Sequence, residues 1–525
     1  MCAMRVVLRR TALLLATSLW TIWSPSPLPA QERPAVQLFL DSLVRYGATA
    51  NRPLFRALRR VYADQAFAPL WLDRGAWSPR GREVQDRLSR AADDGLEAPH
   101  YPVPSLDDAT PAARARADVR LSLSIIRYAQ DVGWGLTVPG AVHRSAHFVP
   151  RPFHGDSVLA RVVAAPSPGS VLDSLAPQTI GYRSLRRALA SLTRAQASGG
   201  WSAPATGGTL RLGDRGVRVQ ELRTLLRERG DLPIPSSSDT PDARDLFDLH
   251  LAAAVARFQS RHGLAPDSVF GPATRRELAV PLQRRREQVA LGMERIRWLP
   301  PTPPGRWIAV NLADYQAFLF EDSTPVFTSR VVVGATNHQT PMFIDTMTNV
   351  VLNPWWNVPP SIERAEIRPA IRRTPDYLVR NHMIRVDGGI RQLPGPWNAL
   401  GQVAFMFPNA HNVYMHDTPA KALFALPDRA HSHGCIRVAR PRELAEILLA
   451  PEGWSAARID SVIASGTRTV VPLRQGIPVR ISYATAFPGA DGAVHFRRDV
   501  YGRDAALRRA IAQYHAHDGD PREEF

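Results

Sequence analysis

The segment HSHGCIRV contains the residue types of a thiol-based active site. Cys435 directly follows Gly434, two histidines stand at His431 and His433, and Arg437 comes shortly after the cysteine. A cysteine reacts as a thiolate, so it needs a neighbouring base or positive charge. A glycine beside the sulfur leaves room for a substrate carbonyl to approach the local backbone amides. These residue types therefore favour a nucleophilic cysteine.

A candidate base precedes this cysteine in the segment VYMHDTP. The segment predicts a strand that runs into a turn, which puts His416 at the end of the strand. Tyr414 lies just before it, on the same face of an extended strand, and could donate a further hydrogen bond. By contrast, His411 and His431 are predicted to be hydrogen-bonded core residues.

Two other interpretations of the cysteine stay open at this point. His431, His433 and Cys435 alternate, so on an extended strand they would share a face and could bind zinc. A closed zinc site usually has paired ligands from two segments, and the only other cysteine is Cys2. The second alternative is an unreactive buried thiol, because free cysteine often packs as a small core residue.

The composition is that of a soluble globular protein of several domains. The chain has 525 residues, of which 45% are hydrophobic and 22% charged. Its formal net charge of +17 suits an anionic polymer, an anionic lipid surface or nucleic acid. No basic stripe interleaved with aromatic residues and no groove-reading motif is evident, so nucleic acid is not an expected partner.

The N-terminus has the three-part layout of a secretory signal peptide, with a basic start, the apolar run TALLLATSLWTIW and a small-x-small pattern before Gln31. The run is shorter than the roughly 20 residues that span a bilayer, although an uncleaved anchor helix is the alternative. Removal of residues 1–30 leaves Cys435 as an unpaired cysteine in an oxidising compartment. An unpaired exported thiol is a liability unless its reactivity is used.

The pattern along the chain predicts a multidomain α+β protein. Helical spacing predominates first, a small helical unit with the turns LGDRGV and DSVFGPAT follows, and alternating β-type runs such as TSRVVVGAT come last. The predicted parts are a signal peptide (1–30), a helical scaffold (35–190), a linker (191–209), a small helical domain (210–282), a β-rich domain (306–505) with an inserted segment (360–390), and a C-terminal tail (506–525).

Several of these segments resemble one family. The stretch YMHDTPAKALFALPDRAHSHGCIRV resembles the active-site signature of L,D-transpeptidases, in which a histidine on one strand precedes a [ST]HGCxR/N motif. Three flanking segments also resemble segments of this family, namely NPWWNVP, RQLPGPWNALGQVAFMFPN and YATAFPGADGAVHFRRDVYGRD. Residues 210–282 resemble a peptidoglycan-binding domain. The whole is similar to the long Gram-negative murein L,D-transpeptidases that carry a scaffold domain.

The resemblance implies a role for individual residues. Cys435 is the expected nucleophile and His416 the proton acceptor and donor, with its ring oriented by the carbonyl of Asp417. Tyr414, Gly434 and the Cys435 amide are expected to form an oxyanion site. The remaining expected site residues are His433 and Arg437 in the pocket, Trp355 and Trp356 along the substrate groove, and residues 360–390 as a capping segment.

The resemblance also implies the reaction, a periplasmic crosslinking step of cell wall biogenesis that bears on cell shape. A stem tetrapeptide of peptidoglycan is the expected donor, a neighbouring stem is the acceptor, and the product is a 3→3 crosslink. No cofactor or metal is needed, and carbapenem-type inhibitors are expected to acylate Cys435. The alternatives are an L,D-carboxypeptidase, attachment of a protein to the wall by the same site, and a non-catalytic wall-binding scaffold.

Overall fold

The computed structural model describes residues 32–47, 52–107, 110–233, 244–489 and 491–517. The predicted signal peptide, residues 1–30, lies outside these ranges. No helix within them combines the length and the hydropathy needed to cross a membrane.

The N-terminal part is a helical bundle arranged around one long helix. Its helices are α1 (Glu32–Tyr46), α2 (Arg52–Asp64), α3 (Pro79–Ser89), α4 (Pro111–Trp134), α5 (Pro139–Val142), α6 (Gly155–Ala164), α7 (Pro168–Leu175) and α8 (Ile180–Ala197), with a short hairpin of β1 (Leu72–Asp73) and β2 (Ala76–Trp77). The hydroxyl of Thr110 accepts the Ala113 amide and so caps α4. Helix α4 contacts α1, α3, α6 and α7, which makes it the centre of this bundle.

A smaller helical unit follows. It consists of α9 (Val217–Glu228), α10 (Leu249–Arg261) and α11 (Pro272–Leu278), and α12 (Leu282–Arg297) then leads back to the scaffold bundle. The unit has its own core, which includes Leu222, Val255 and Phe258. An antiparallel bridge between Leu210 and Phe270 closes it. Helix α12 packs along α8.

The C-terminal part is built on a sheet. Its strands are β3 (Arg306–Asn311), β4 (Gln316–Glu321), β5 (Thr324–Gly334), β6 (Phe343–Leu352), β7 (Trp356–Asn357), β8 (Met383–Val386), β9 (Gly389–Gln392), β10 (Val403–Met406), β11 (Met415–His416), β12 (Ala430–Ser432), β13 (Ile436–Val438), β14 (Thr469–Ser482), β15 (Ala486–Pro488) and β16 (Val494–Phe496). Its helices are α13 (Pro360–Ile362), α14 (Arg368–Arg373), α15 (Tyr377–Arg380), α16 (Pro441–Leu449), α17 (Ala456–Ala464) and α18 (Arg503–His517).

The main sheet curls back on itself. Within the described residues it has the strand order β12-β5-β13-β11-β10-β6-β14-β3-β4, and β4 pairs again with β5. Alternate β-branched and aromatic side chains of these strands fill one core, with Val331, Val350, Met415 and Ile481 fully buried. The closed sheet leaves few free edges, and it brings β5, β11 and β13 together at one side.

The expected capping segment forms a small lobe of its own. Helices α13 and α14 run into each other through a π turn, Glu363–Ile367, and α15 leads to the hairpin of β8 and β9. Strands β7, β9 and β8 form a separate three-stranded sheet. Val358, Ile367, Met383 and Ile390 are its buried core.

The last part of the chain ties the sheet domain to the helical bundle. Ala486, Val494 and Phe496 of the β15–β16 hairpin are buried in the core of the scaffold bundle. Residues 506–525 were predicted as a tail, but from residue 506 to His517 they continue helix α18. Leu507 on this helix is fully buried in the core of the sheet domain. The predicted fold class, a helical N-terminal region followed by a β-rich domain, is confirmed.

Candidate active site

Two short parallel strands bring the candidate residues together. In the register of β11 and β13, Met415 faces Ile436 and His416 faces Arg437. The Ile436 amide donates to the carbonyl of Tyr414 at 3.0 Å. Cys435 therefore lies beside Tyr414, and His416 ends its strand as the sequence predicted.

The His416 ring is buried and held in one orientation. Its Nδ1 hydrogen-bonds the carbonyl of Asp417. Because a carbonyl can only accept, Nδ1 carries the proton and Nε2 of the neutral ring is left with a free lone pair. Burial, reinforced by the positive charge of Arg437, lowers the pKa of His416 to about 4. The ring is therefore neutral at neutral pH and able to accept a proton.

The thiol of Cys435 is half-buried at the start of β13. Burial raises the pKa of Cys435 above its ordinary value, while the Tyr414 amide and hydroxyl and the charge of Arg437 act in the opposite direction. The sulfur also lies 3.7 Å from the carbonyl oxygen of Asn412. The resting state is thus a protonated thiol that needs a base to become a thiolate.

The backbone beside the sulfur has a conformation that favours glycine. Gly434 has φ +117°, in the region where a Cβ atom is strained. Its amide donates to the Ser432 hydroxyl at 3.1 Å, and that hydroxyl donates to the Cys435 carbonyl at 2.6 Å. The Gly434 amide, expected in the oxyanion site, is therefore committed to the loop. The Cys435 amide donates to no acceptor among the described residues.

Tyr414 and Arg437 complete the surroundings of the sulfur. The Tyr414 ring centroid is 5.7 Å from that of His416. Burial and the nearby Cys435 raise the pKa of Tyr414, so its hydroxyl stays protonated and can donate a hydrogen bond. The half-buried Arg437 influences the pKa of both His416 and Cys435. Its Nε has no hydrogen-bond partner within the described residues.

The two histidines of the HSHGC segment point to different neighbours. His433 is exposed, with Nε2 2.7 Å from Oε1 of Glu366 in the capping segment. His431 Nε2 lies 3.1 Å from the Asp428 carbonyl. In the described part of the chain these two rings form no ligand cluster with Cys435. The geometry therefore does not support the zinc alternative.

The expectation that His411 and His431 are core residues is wrong for His431. The His431 side chain is exposed, because β12 is an edge strand of the main sheet. His411 is partly buried and stacks on His147 of the scaffold part, with ring centroids 4.0 Å apart.

Asp417 and the paired tryptophans have structural partners. The buried Asp417 carboxylate accepts the amides of Thr418 and Gln402 at 2.7 and 2.9 Å and pairs with Lys421, so it fixes the turn that follows His416. Trp355 is 41% exposed, and the guanidinium groups of Arg391 and Arg468 lie 4.4 and 4.9 Å from its ring centroid.

Trp356 is half-buried and pairs through its backbone with Gln392 in the lobe sheet. Its side chain packs against the core of the lobe. The expected part of Trp355 and Trp356 in binding substrate stays a prediction.

Four residues make contacts near the site that the sequence analysis did not predict. Asn412 accepts from the thiol, Ser432 closes the loop, Glu366 contacts His433, and Thr340 donates to the Gly434 carbonyl. Ser432 belongs to the motif, so the motif itself was a signal. Thr340 and Glu366 are distant in sequence, and no spacing pattern links them to Cys435.

Comparison with known proteins finds similarity in three parts of the chain. Residues 305–478 match the YkuD family of L,D-transpeptidase catalytic domains, residues 56–189 match a scaffold domain, and residues 215–278 match a domain described as a putative peptidoglycan binding domain. A curated relative, a putative L,D-transpeptidase of Haemophilus influenzae, is 31% identical over 245 residues, or 43% of this chain and 49% of the relative. The chain thus spans about half the length of that relative.

Two solved structures also align with the chain. One is an L,D-transpeptidase from Xylanimonas cellulosilytica (15% identity, 53% of this chain and 99% of that one), and the other is a fused Zn-dependent amidase/peptidase/peptidoglycan-binding domain-containing protein from Clostridium acetobutylicum (14% identity, 53% and 100%). Both have a TM-score of 0.16 to this chain. Three parts of the chain are therefore similar to known domains: the YkuD L,D-transpeptidase catalytic domain, a scaffold domain and a putative peptidoglycan binding domain.

Proposed function

We propose that this protein is a peptidoglycan L,D-transpeptidase that forms 3→3 crosslinks through an acyl-enzyme on Cys435. The observation that supports this most is the surroundings of the sulfur. Cys435 directly precedes β13, which pairs with the strand that ends at the neutral, oriented His416, and two donors lie near its sulfur, the Tyr414 hydroxyl and the unpaired Cys435 amide. A thiol, a base and oxyanion donors are sufficient for acyl transfer.

In the first half-reaction, His416 takes the thiol proton on Nε2. The thiolate attacks the carbonyl carbon of the third, L-centred residue of a stem tetrapeptide, and a carbon–sulfur bond forms. The Cys435 amide and the Tyr414 hydroxyl stabilise the negative charge on the carbonyl oxygen. As the tetrahedral intermediate collapses, the carbon–nitrogen bond breaks and D-alanine leaves with the proton from His416.

In the second half-reaction, an amine of a neighbouring stem attacks the thioester. His416 takes a proton from that amine, the new carbon–nitrogen bond forms, and the carbon–sulfur bond breaks. The proton returns from the imidazolium to the sulfur, so the enzyme regains its starting state. Arg437 supplies a positive charge beside the transient thiolate.

The other parts of the chain fit a wall enzyme. The small helical unit, residues 210–282, is proposed to hold the protein on peptidoglycan, and the basic chain suits an anionic polymer. The domain boundaries are likewise proposed: a scaffold (35–190), a linker, a binding domain and a catalytic domain (306–505). We further propose export to the periplasm through cleavage near Gln31. A mature chain found by mass spectrometry to retain residues 5–30 would contradict export with cleavage.

The function is tested by intact mass spectrometry of the purified protein with tetrapeptide muropeptides. The expected result is an adduct equal to the tripeptide-containing acyl group on Cys435, which is lost as 3→3 crosslinked product appears. A product with water in place of the acceptor amine would indicate the carboxypeptidase alternative. Cys435→Ala should give no adduct and no product. Crosslinking at the wild-type rate by that variant would refute the mechanism.

A further inference from the structure

A buried threonine contacts the loop of Cys435 from the side of the neighbouring strand β5. Thr340 lies between β5 and β6 and is fully buried. Its Oγ1 donates to the carbonyl of Gly434 at 2.7 Å, although the two residues are far apart in the sequence. Thr340 takes no part in the proposed transfer of protons and acyl groups.

The carbonyl that Thr340 holds belongs to the same peptide unit as the Cys435 amide. In a trans peptide the C=O and N–H bonds point in opposite directions. A hydroxyl that fixes the Gly434 carbonyl on one side therefore fixes the direction of the Cys435 N–H on the other. This N–H is the one that lacks an acceptor among the described residues, as an oxyanion donor should in the absence of substrate.

The direction of the Thr340 hydroxyl is itself determined. Oγ1 accepts the amide of Gly334 at 2.9 Å, so its single proton is left for Gly434. The Gly334 carbonyl in turn accepts the hydroxyl of Tyr501. The Gly334 amide, the Gly334 carbonyl and the Gly434 carbonyl thus each have a hydrogen-bond partner, which favours a single arrangement.

A buried arginine holds the backbone of Thr340. Arg503 is 2% exposed, and its Nη2 donates to the Thr340 carbonyl at 3.0 Å and to the Ser145 hydroxyl of the scaffold part at 3.1 Å. Its Nε and Nη1 have no hydrogen-bond partner within the described residues. Next to this point the Met342 amide donates to the Ser145 carbonyl at 2.7 Å. The scaffold part therefore contacts the sheet domain directly beside the residue that holds Gly434.

We propose that Thr340 is a positioning residue that directs the Cys435 amide at the oxyanion, and that Arg503 anchors it to the scaffold part. The proposal rests on the proposed function. The proposal predicts different effects on two reactions of Cys435. Attack of the thiolate on a carbonyl uses the Cys435 amide, whereas alkylation of the thiolate by iodoacetamide does not. Loss of the Thr340 hydroxyl should therefore slow acylation and leave alkylation almost unchanged.

The test compares Thr340→Val, Thr340→Ser and the matched control Thr348→Val, an exposed threonine on β6. For each protein, acylation of Cys435 by a carbapenem and alkylation by iodoacetamide are followed by intact mass at one pH, with the thermal midpoint as a check of folding. Thr340→Val should lose about tenfold to a hundredfold in acylation rate and less than about twofold in alkylation rate. Thr340→Ser, which keeps the hydroxyl, and Thr348→Val should stay within about threefold of wild type in both.

Each outcome decides the matter. Equal acylation by Thr340→Val and wild type, or a parallel fall in both rates, would overturn the positioning role. If Thr340→Val does not fold, Thr340→Ala replaces it, because the smaller side chain leaves room for water beside the Gly334 amide and the Gly434 carbonyl. The ratio of its acylation rate to its alkylation rate is then the criterion. Acylation of a Cys435→Ala protein would instead refute the proposed function, and this inference with it.

Discussion

Nε2 of His433, in the same loop as the candidate nucleophile, lies 2.7 Å from Oε1 of Glu366 in the capping segment. This contact joins the loop of Cys435 to a lobe that has its own sheet and core. Both side chains are partly exposed, 42% and 51%, so the pair contributes little, about 0–1 kcal/mol. Such a contact can hold the lobe in place and still be released when substrate binds.

Loss of this contact should make Cys435 easier to reach. Glu366→Ala is expected to raise the rate of alkylation by a bulky maleimide by up to about fivefold, because about 1 kcal/mol corresponds to a factor of about five. The rate with small iodoacetamide should change less. The matched control is Glu446→Ala, whose carboxylate pairs with Arg442 at 2.9 Å on another helix. Equal acceleration of both reagents, or an identical effect in the control, would contradict the prediction.

The assigned base should be separable from its sequence neighbour. His416→Ala is expected to slow acylation by a carbapenem by about 10²–10⁴-fold, because it removes the proton acceptor. His431→Ala removes an exposed ring that contacts only a backbone carbonyl among the described residues, so its rate should stay near wild type. A chelator should change neither rate. A dead His431→Ala protein beside a fast His416→Ala protein, or inhibition by the chelator, would reverse the assignment.

The reactivity of the thiol should depend on pH in a defined direction. Burial raises the pKa of Cys435, so its alkylation by iodoacetamide should increase through a midpoint above about 8.5, the usual value for a free thiol. The Tyr414 hydroxyl acts to lower that pKa, so Tyr414→Phe should move the midpoint to still higher pH. Tyr46→Phe, at a residue 77% exposed, is the control and should not move it. A wild-type midpoint below that usual value would disprove the assignment of a protonated resting thiol.

The nucleophile should contribute little to stability. Cys435 is half-buried and small, so Cys435→Ser is expected to shift the melting midpoint by only about 1–2 °C while activity is lost. Met415→Ala, in the adjacent strand at a fully buried position, should cost about 2–5 kcal/mol and lower the midpoint by several degrees. A large loss of stability in Cys435→Ser would indicate that the thiol is a packing residue.

The class of fold could be predicted from local sequence patterns, and the same patterns single out Cys435 and His416 as the central candidates for the site. Helical spacing in one half and alternating β-type runs in the other are local patterns, and they predicted the two kinds of region. Cys435 and His416 stand out because a glycine-flanked cysteine and a histidine at a strand end are also local signals. The glycine requirement at residue 434 is explained by its φ of +117°.

Which groups surround the sulfur, and in which direction their pKa values shift, follows from the folded chain. Thr340 and Glu366 come from distant parts of the chain and reach the loop through strand order and the folded lobe. Local patterns also did not predict that helix α18 extends to His517, or that His431 on the edge strand β12 is exposed. Burial, and with it the lowered pKa of His416 and the raised pKa of Cys435, depends on packing by distant segments. Local sequence patterns do not specify that packing.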